Sequence, residues 1–176
     1  MYPGAVRLRL LCAVCLLVPA LAGCGGDEDA EIKTKADFVA AADKICVQRD
    51  ERSATMDPVK TGGDLARLSR ELAEIYGDSV KRVKALKLPP GQARAGAARY
   101  VEATVALTRP VEQMQAASEK LEDAVKAKQG GVLKEAAEEL RSSVNALQAL
   151  TEVADQAARE YGMHACGQAA RSNPVS

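Results

Sequence analysis

The sequence contains few aromatic residues and only one histidine. Its 176 residues include one Phe, four Tyr and no Trp, so aromatic residues make up 3% of the chain. Because strands favour aromatic and β-branched residues, this composition argues against a β-sandwich or a β-barrel. A single histidine also cannot build a metal centre that needs several histidine ligands.

Neither sign of charge is in excess, and the common catalytic motifs are missing. Lys and Arg number 24, as do Asp and Glu, so the formal net charge is zero. A nucleic-acid-binding domain normally carries a basic excess. The sequence lacks Gly-x-Ser-x-Gly, a phosphate-binding loop, Gly-x-Gly-x-x-Gly and Cys-x-x-Cys-His. We therefore expect a non-enzymatic protein with no cofactor and no nucleic-acid partner.

Alanine and other helix-forming residues dominate the remaining composition. Hydrophobic residues make up 47% of the chain, and 33 residues are alanine. Apolar positions recur in the spacing of amphipathic helices, and short turns between such helices make neighbours antiparallel. The sequence predicts an all-α, up-down-up-down four-helix bundle over residues 34–170, followed by a disordered tail at 171–176.

Caps and helix breakers predict the boundaries of the first two helices. Thr34, with Asp37 three residues later, should cap a first helix that ends near Met56. Asp64 should cap the second helix, which the Leu-Pro-Pro-Gly segment at 88–91 terminates.

The third and fourth helices carry the longest apolar stripes, over residues 100–125 and 133–161, with a turn at Gly130-Gly131 between them. Pro110 interrupts the third helix. Because proline has no amide hydrogen, the carbonyl of Ala106 should lose its partner, and we expect a kink there.

Small polar residues lie in or beside these stripes. Their hydroxyl groups either bond back to a carbonyl of their own helix or line a cavity for a small ligand. The second possibility describes a solute-binding or carrier protein with a continuous internal cavity near Pro110. The residues are Thr104, Thr108, Ser118 and Thr151, with Asn145 beside them.

The N-terminal segment resembles a bacterial lipoprotein signal peptide. Arg7 and Arg9 precede an apolar run, Leu10 to Ala22, which is too short to span a bilayer and suits a signal peptide. It ends in Leu-Ala-Gly-Cys, which is similar to the lipobox whose cysteine receives diacylglycerol and becomes the mature N-terminus. The alternative is an ordinary secretory signal with a chance cysteine.

This resemblance implies a location and an anchor. Residues 1–23 would be removed, Cys24 would carry the lipid (a palmitate-type acylation), and residues 24–33 would form a flexible tether. Two or more long acyl chains anchor a protein stably. We therefore expect a protein on the extracytoplasmic face of the cell membrane.

The cysteines fall into three groups. Cys12 and Cys15 would leave with the signal peptide, and Cys24 would be lipidated, so Cys46 and Cys166 remain. Two cysteines in an exported protein favour one disulfide. The alternative is a thiol pair with a redox or metal-binding role, although the spacing is not Cys-x-x-Cys.

His164 and the carboxylate clusters are weak site candidates. His164 with Cys166 provides too few ligands for a closed metal site, so we interpret it as a surface or helix-end residue. The acidic clusters flank the apolar stripes, and we interpret them as solvated faces. They are Glu71 with Glu74, Glu119 with Glu122 and Asp123, and Glu135 with Glu138 and Glu139.

Five basic residues surround the predicted turn between the second and third helices. In this topology the turn lies at the same end as the tether, and therefore near the membrane. A patch that contacts anionic lipid or wall polymer would gain about 1 kcal/mol per basic residue. The alternative is an ordinary solvated face at a helix end. The residues are Lys81, Arg82, Lys84, Lys87 and Arg94.

Three short motifs resemble a group of small secreted or lipidated actinobacterial-type helical proteins of unknown function. They are Ile45-Cys46, Leu88-Pro89-Pro90 and the Tyr-Gly-x-x-x-Cys-Gly segment at 161–167. The resemblance implies a helical bundle with the Cys46–Cys166 bridge and implies no activity. Taken together, the sequence predicts an envelope interaction module whose partner is an anionic lipid, a wall polymer or an envelope protein.

Overall fold

The part of the chain that the computed structural model describes, residues 31–167, consists of helices joined by turns and short irregular segments. This range contains no strand, so the predicted all-α fold is confirmed. No helix within it is both long enough and apolar enough to cross a membrane. The helices are α1 Lys35–Ala54, α2 Gly62–Ala85, α3 Ala93–Val105, α4 Thr108–Ala127 and α5 Gly130–Tyr161.

Two capping boxes begin the first two helices. The Thr34 side chain accepts a hydrogen bond from the Asp37 amide, and the Asp37 carboxylate accepts one from the Thr34 amide, as predicted. Thr61 and Asp64 repeat this arrangement at the start of α2. The prediction that Asp64 caps α2 was therefore wrong: Thr61 is the N-cap, and Asp64 lies within the first turn.

The third predicted helix breaks instead of bending. α3 ends at Val105 and α4 begins at Thr108, so Pro110 lies in the first turn of α4. A residue in the first turn has no helical partner for its amide, so proline is tolerated there. The structure therefore interrupts the helix at residues 106 and 107, where we predicted a kink, and α3 and α4 are the two halves of the predicted third helix.

The turn between α4 and α5 does not use the two glycines. Lys128 takes the left-handed conformation (φ 55°) as the C-cap of α4. The amides of Lys128 and Gln129 bond back to the carbonyls of Val125 and Ala124, which closes the helix end. Gly130 is already the first residue of α5, so the predicted Gly-Gly turn was wrong.

The helices pack as antiparallel neighbours. α2 packs against α4, α4 and α3 pack against α5, and α1 packs against α2. Ion pairs show the direction: Arg99 of α3 contacts Glu160, whereas Lys120 of α4 contacts Glu139. The later residue of α3–α4 contacts the earlier residue of α5, so α3 and α4 run antiparallel to α5.

The fold contains two hydrophobic cores, and α1 contributes residues to only one of them. The first, which we call the disulfide core, contains Phe38, Ala42, Ile45, Cys46, Val83, Ala97, Tyr100, Ala157, Ala158, Tyr161, Met163 and Cys166. The second, which we call the three-helix core, contains Ala66, Ala73, Val80, Leu107, Val111, Met114, Ala117, Leu121, Ala136, Leu140 and Leu147. The predicted four-helix arrangement therefore surrounds the disulfide core, whereas α2, α4 and α5 alone enclose the other.

The length of α1 explains this division. At about 1.5 Å per residue, the 20 residues of α1 extend about 30 Å, whereas the 32 residues of α5 extend about 48 Å. α1 therefore ends before it reaches the far half of the bundle. The chain then continues through residues 55–61 to the start of α2.

A close approach between α3 and α5 generates a first prediction. A Cβ atom on Gly96 would lie 2.4 Å from Cδ2 of Tyr161, so Gly96→Ala should displace a ring of the disulfide core. We expect the free energy of unfolding to fall by about 1–3 kcal/mol, measured by urea denaturation.

Gly131→Ala is the matched control, because a Cβ there meets no atom within 4 Å. Its free energy of unfolding should stay the same or rise slightly. Equal stability of the Gly96→Ala variant and the parent would contradict the close packing of α3 on α5.

Candidate functional site

Cys46 and Cys166 form a disulfide, with an S–S distance of 2.13 Å and a Cα–Cα distance of 5.1 Å. Cys46 lies in the middle of α1, and Cys166 follows the end of α5. Both are buried, and the hydroxyl of Tyr100 donates a hydrogen bond to Sγ of Cys166 at 3.2 Å. This bridge is the predicted pairing.

Asp43 holds the same C-terminal segment by hydrogen bonds. Its carboxylate accepts from the backbone amides of His164, Ala165 and Cys166 at 3.0, 2.9 and 3.1 Å. The sequence gives no signal for this role of Asp43, because no local pattern links an aspartate of α1 to residues about 120 positions later. The segment after α5 is thus fixed to α1 by one covalent bond and three hydrogen bonds.

His164 and its neighbours form no metal centre in the described part of the chain. The His164 side chain is exposed, as expected for a helix-end residue. Across residues 31–167, no three side chains of His, Cys, Asp or Glu converge as metal ligands.

A buried polar cluster lies beside the disulfide. Arg49 is only 8% exposed, its Nε contacts Asp50 at 2.8 Å, and its guanidinium lies 5.4 Å from the ring centre of Tyr76. Burial alone would lower the pKa of Arg49, but the hydrogen bond to Asp50 and electrostatic interactions with Tyr76, Asp50 and, to a smaller extent, Asp155 outweigh it and raise that pKa. Sequence periodicity places Arg49 on the inner face of α1 but cannot show that Asp155 is buried near it.

The cavity at this cluster is very small. It measures about 10 Å³ and is lined by Thr104, Thr151, Tyr76 and Asp155 among others, which is about the space of one water molecule. Small-molecule pockets usually measure about 300 Å³ or more. A carrier function would therefore require this core to open.

The hydroxyl groups of the stripes bond to their own helices. Thr104 donates to the carbonyl of Tyr100 at 2.9 Å, Ser118 to that of Met114 at 2.7 Å, and Thr151 to that of Leu147 at 2.8 Å. Thr108 donates to the carbonyl of Val105, and Asn145 is exposed. The back-bonding interpretation is therefore confirmed for Thr104, Ser118 and Thr151, whereas Thr108 of α4 bonds to the last residue of α3.

The acidic clusters lie on solvated faces, as expected, and most of their members form ion pairs. Lys120 contacts Glu135 at 3.0 Å and Glu139 at 2.9 Å. An open groove of about 360 Å³ between α4 and α5 includes Lys120 and Glu139 in its lining, so its charged groups already neutralise one another. Ion pairs with Lys126 and Arg70 lower the pKa of Glu122.

The predicted basic residues lie at one end of the helices. Lys81, Lys84, Lys87 and Arg94 are exposed, and no carboxylate of residues 31–167 forms an ion pair with them. Arg82 differs from these four, because it is half-buried and its guanidinium lies 4.0 Å from the carboxylate of Asp78.

The start of the described chain lies at this same end. Ile32 packs against the disulfide core, and so do Leu86, Leu88 and Ala93 from the turn between α2 and α3. Two further lysines are exposed near this point: Lys33 forms an ion pair with Glu31 at 2.9 Å, and Nζ of Lys35 lies 4.7 Å from the ring centre of Tyr161. We call this surface the basic end; it comprises Lys33, Lys35, Lys84, Lys87 and Arg94.

Comparison of the chain with protein-family models, with curated proteins and with solved structures finds no match. The resemblance to small lipidated actinobacterial-type proteins therefore depends on its short motifs alone.

The Asp43 contacts generate a second prediction. Asp43→Ala removes the acceptor of three amides, and we expect the free energy of unfolding to fall by about 1–3 kcal/mol. Amide hydrogen exchange at residues 164–166 should become faster. Lys44→Ala, at the exposed neighbouring position, is the control, and unchanged exchange in Asp43→Ala would contradict this role.

The burial of Tyr100 generates a prediction about alkaline stability. Burial raises the pKa of Tyr100 from 10.0 to about 12. Because the folded protein holds this proton more tightly than the unfolded chain, the resulting stability is present below about pH 10 and is lost as the pH rises towards 12.

In Tyr100→Phe the free energy of unfolding should decline less steeply between about pH 10 and 12 than in the parent, by up to about 1.4 kcal/mol per pH unit. Urea denaturation at a series of pH values measures the slope. Burial also raises the pKa of Tyr76, so the variant should keep part of the decline. Identical slopes in the variant and the parent would refute the assignment to Tyr100.

Proposed function

We propose that the protein is an exported lipoprotein, anchored through Cys24 on the extracytoplasmic face of the cell membrane, and that it acts there as a non-enzymatic interaction module. The observation that carries this proposal is the pairing of a lipobox-like Leu-Ala-Gly-Cys segment with a disulfide between the two cysteines that follow it. Disulfides persist in oxidising compartments and are rare in the cytosol.

The arrangement of the bridge supports export. It joins residues separated by 120 positions, and in loop-entropy models closing so long a loop stabilises a fold by about 4–5 kcal/mol, an upper figure. An alanine-rich core buries little apolar area per residue, so the fold benefits strongly from this bond. A protein with such a requirement suits a compartment in which the bond forms.

The exposed charges of the basic end, together with the lack of enzyme motifs in the sequence, support an interaction role over a catalytic one. The buried Arg49 is held by Asp50 and Tyr76, and the sequence carries none of the motifs of hydrolases or nucleotide-binding enzymes. The basic end, in contrast, presents exposed charges next to the start of α1. A surface of this kind suits contact with an anionic partner in the envelope.

Replacement of Cys24 tests the anchor. Cys24→Ser removes the thiol that would receive the lipid, so we expect the protein to move from the membrane fraction to the soluble extracytoplasmic fraction. Incorporation of a labelled fatty acid should fall to background. Fractionation and metabolic labelling measure the two effects.

Cys15→Ser is the matched control, because it changes a cysteine within the segment that would be removed. It should leave both labelling and membrane association unchanged. Persistent labelling of Cys24→Ser, or reduced Cys46 and Cys166 in the cellular protein, would overturn the proposal.

A further inference from the structure

We infer that the basic end docks onto the anionic headgroups of the bilayer in which the protein is anchored, so that the bundle stands on the membrane with this end down. The inference rests on the proposed lipid anchor, which keeps the bundle close to the bilayer. The positive charge that would bind the headgroups belongs to side chains that the structure describes. It selects a lipid surface over a wall polymer as the partner.

Charge is the first argument. Without Arg7 and Arg9, which would leave with the signal peptide, the chain has 22 basic and 24 acidic residues and a net charge of −2, so attraction to an anionic surface must come from local clustering. Lys84 and Lys87 at the end of α2 and Arg94 in the first turn of α3 are exposed, and no carboxylate of the described chain pairs with them. Unpaired lysine and arginine near an anionic membrane are attracted to it, each by about fivefold in partition coefficient.

The reach of the chain is the second argument. Ile32 follows Cys24 by eight positions, and a fully extended segment of that length spans at most about 29 Å. The turn between α4 and α5 lies at the opposite end of α5, about 48 Å away. With Cys24 in the bilayer, the basic end stays within reach of the headgroups, whereas the far turn of an upright bundle does not.

A matched pair of triple variants tests the inference. The first is Lys84→Gln, Lys87→Gln and Arg94→Gln at the basic end. The second, the far-turn variant, is Lys60→Gln, Lys128→Gln and Arg141→Gln, which are also exposed, form no ion pair within residues 31–167 and lie towards the end of the bundle that holds the turn between α4 and α5. Both sets remove three positive charges, so a difference between them reports position and not net charge.

Binding is measured without the lipid. The chain from residue 24 onward, with Cys24→Ser, retains every residue of both cores and the disulfide. Circular dichroism and a melting curve confirm that each variant is folded. Sedimentation then measures binding to vesicles of phosphatidylglycerol mixed with phosphatidylcholine, and to vesicles of phosphatidylcholine alone.

We expect the parent chain to bind the anionic vesicles only, with an affinity that decreases as salt increases. The basic-end variant should lose about 100-fold in partition coefficient, because three charges contribute about fivefold each. The far-turn variant should change by less than about threefold, since its charges stay away from the surface.

Three results would overturn the inference. The first is no binding by the parent, which would mean that Asp27, Glu28 and Asp29 in the predicted tether neutralise the basic end. The second is an equal loss in both variants. The third is binding to a soluble polyanion, such as polyphosphate, that is as tight as binding to vesicles.

Vesicle binding and fatty-acid labelling of Cys24 can fail independently of each other. Normal fatty-acid labelling of Cys24 with no vesicle binding overturns the docking inference and leaves the lipoprotein proposal standing. Vesicle binding without labelling of Cys24 overturns the lipoprotein proposal and leaves a peripheral membrane contact.

Discussion

The attachment of α1 to the end of α5 is the constraint on which this fold depends. α1 packs mainly along the second half of α2 and reaches the rest of the bundle through Phe38, Cys46 and the cluster around them. Many of the surrounding side chains are alanines, which bury little area each. The disulfide and the three amides bound by Asp43 therefore secure α1, and with it the four-helix half of the molecule.

The two halves of the bundle owe their order to different interactions. Around the disulfide core, the ring of Phe38 meets those of Tyr100 and Tyr161 edge-on at 6.4 and 5.7 Å, so three of the few aromatic residues are concentrated there. The other half is held by leucine, valine and methionine from α2, α4 and α5 and by ion pairs on its surface, such as Arg70 with Glu122. Exposed pairs of this kind contribute little, so packing of the three helices dominates there.

Many charged side chains of residues 31–167 form ion pairs with their neighbours, whereas Lys84, Lys87 and Arg94 at the basic end form none. Arg49 is buried, and its charge is stabilised by the hydrogen bond that it donates to Asp50 and by electrostatic interactions with Tyr76, Asp50 and Asp155. At the basic end, Lys84, Lys87 and Arg94 are exposed, so water solvates their charges. These charges therefore remain available to a partner, and the start of α1 beside them brings the predicted tether to the same end.

Local rules in the sequence determined much of this protein. The Thr34–Asp37 capping box, the apolar stripes and the missing amide of Pro110 predict the all-α class, the start of α1 and an irregularity near Ala106, because each acts within a few residues. The count of cysteines predicts the bridge. Only the tertiary structure decided that α1 covers half of the bundle, that Asp43 binds the segment after α5, and that Asp155 is buried near Arg49. Each of these depends on where distant segments meet, and helical periodicity carries no information about that.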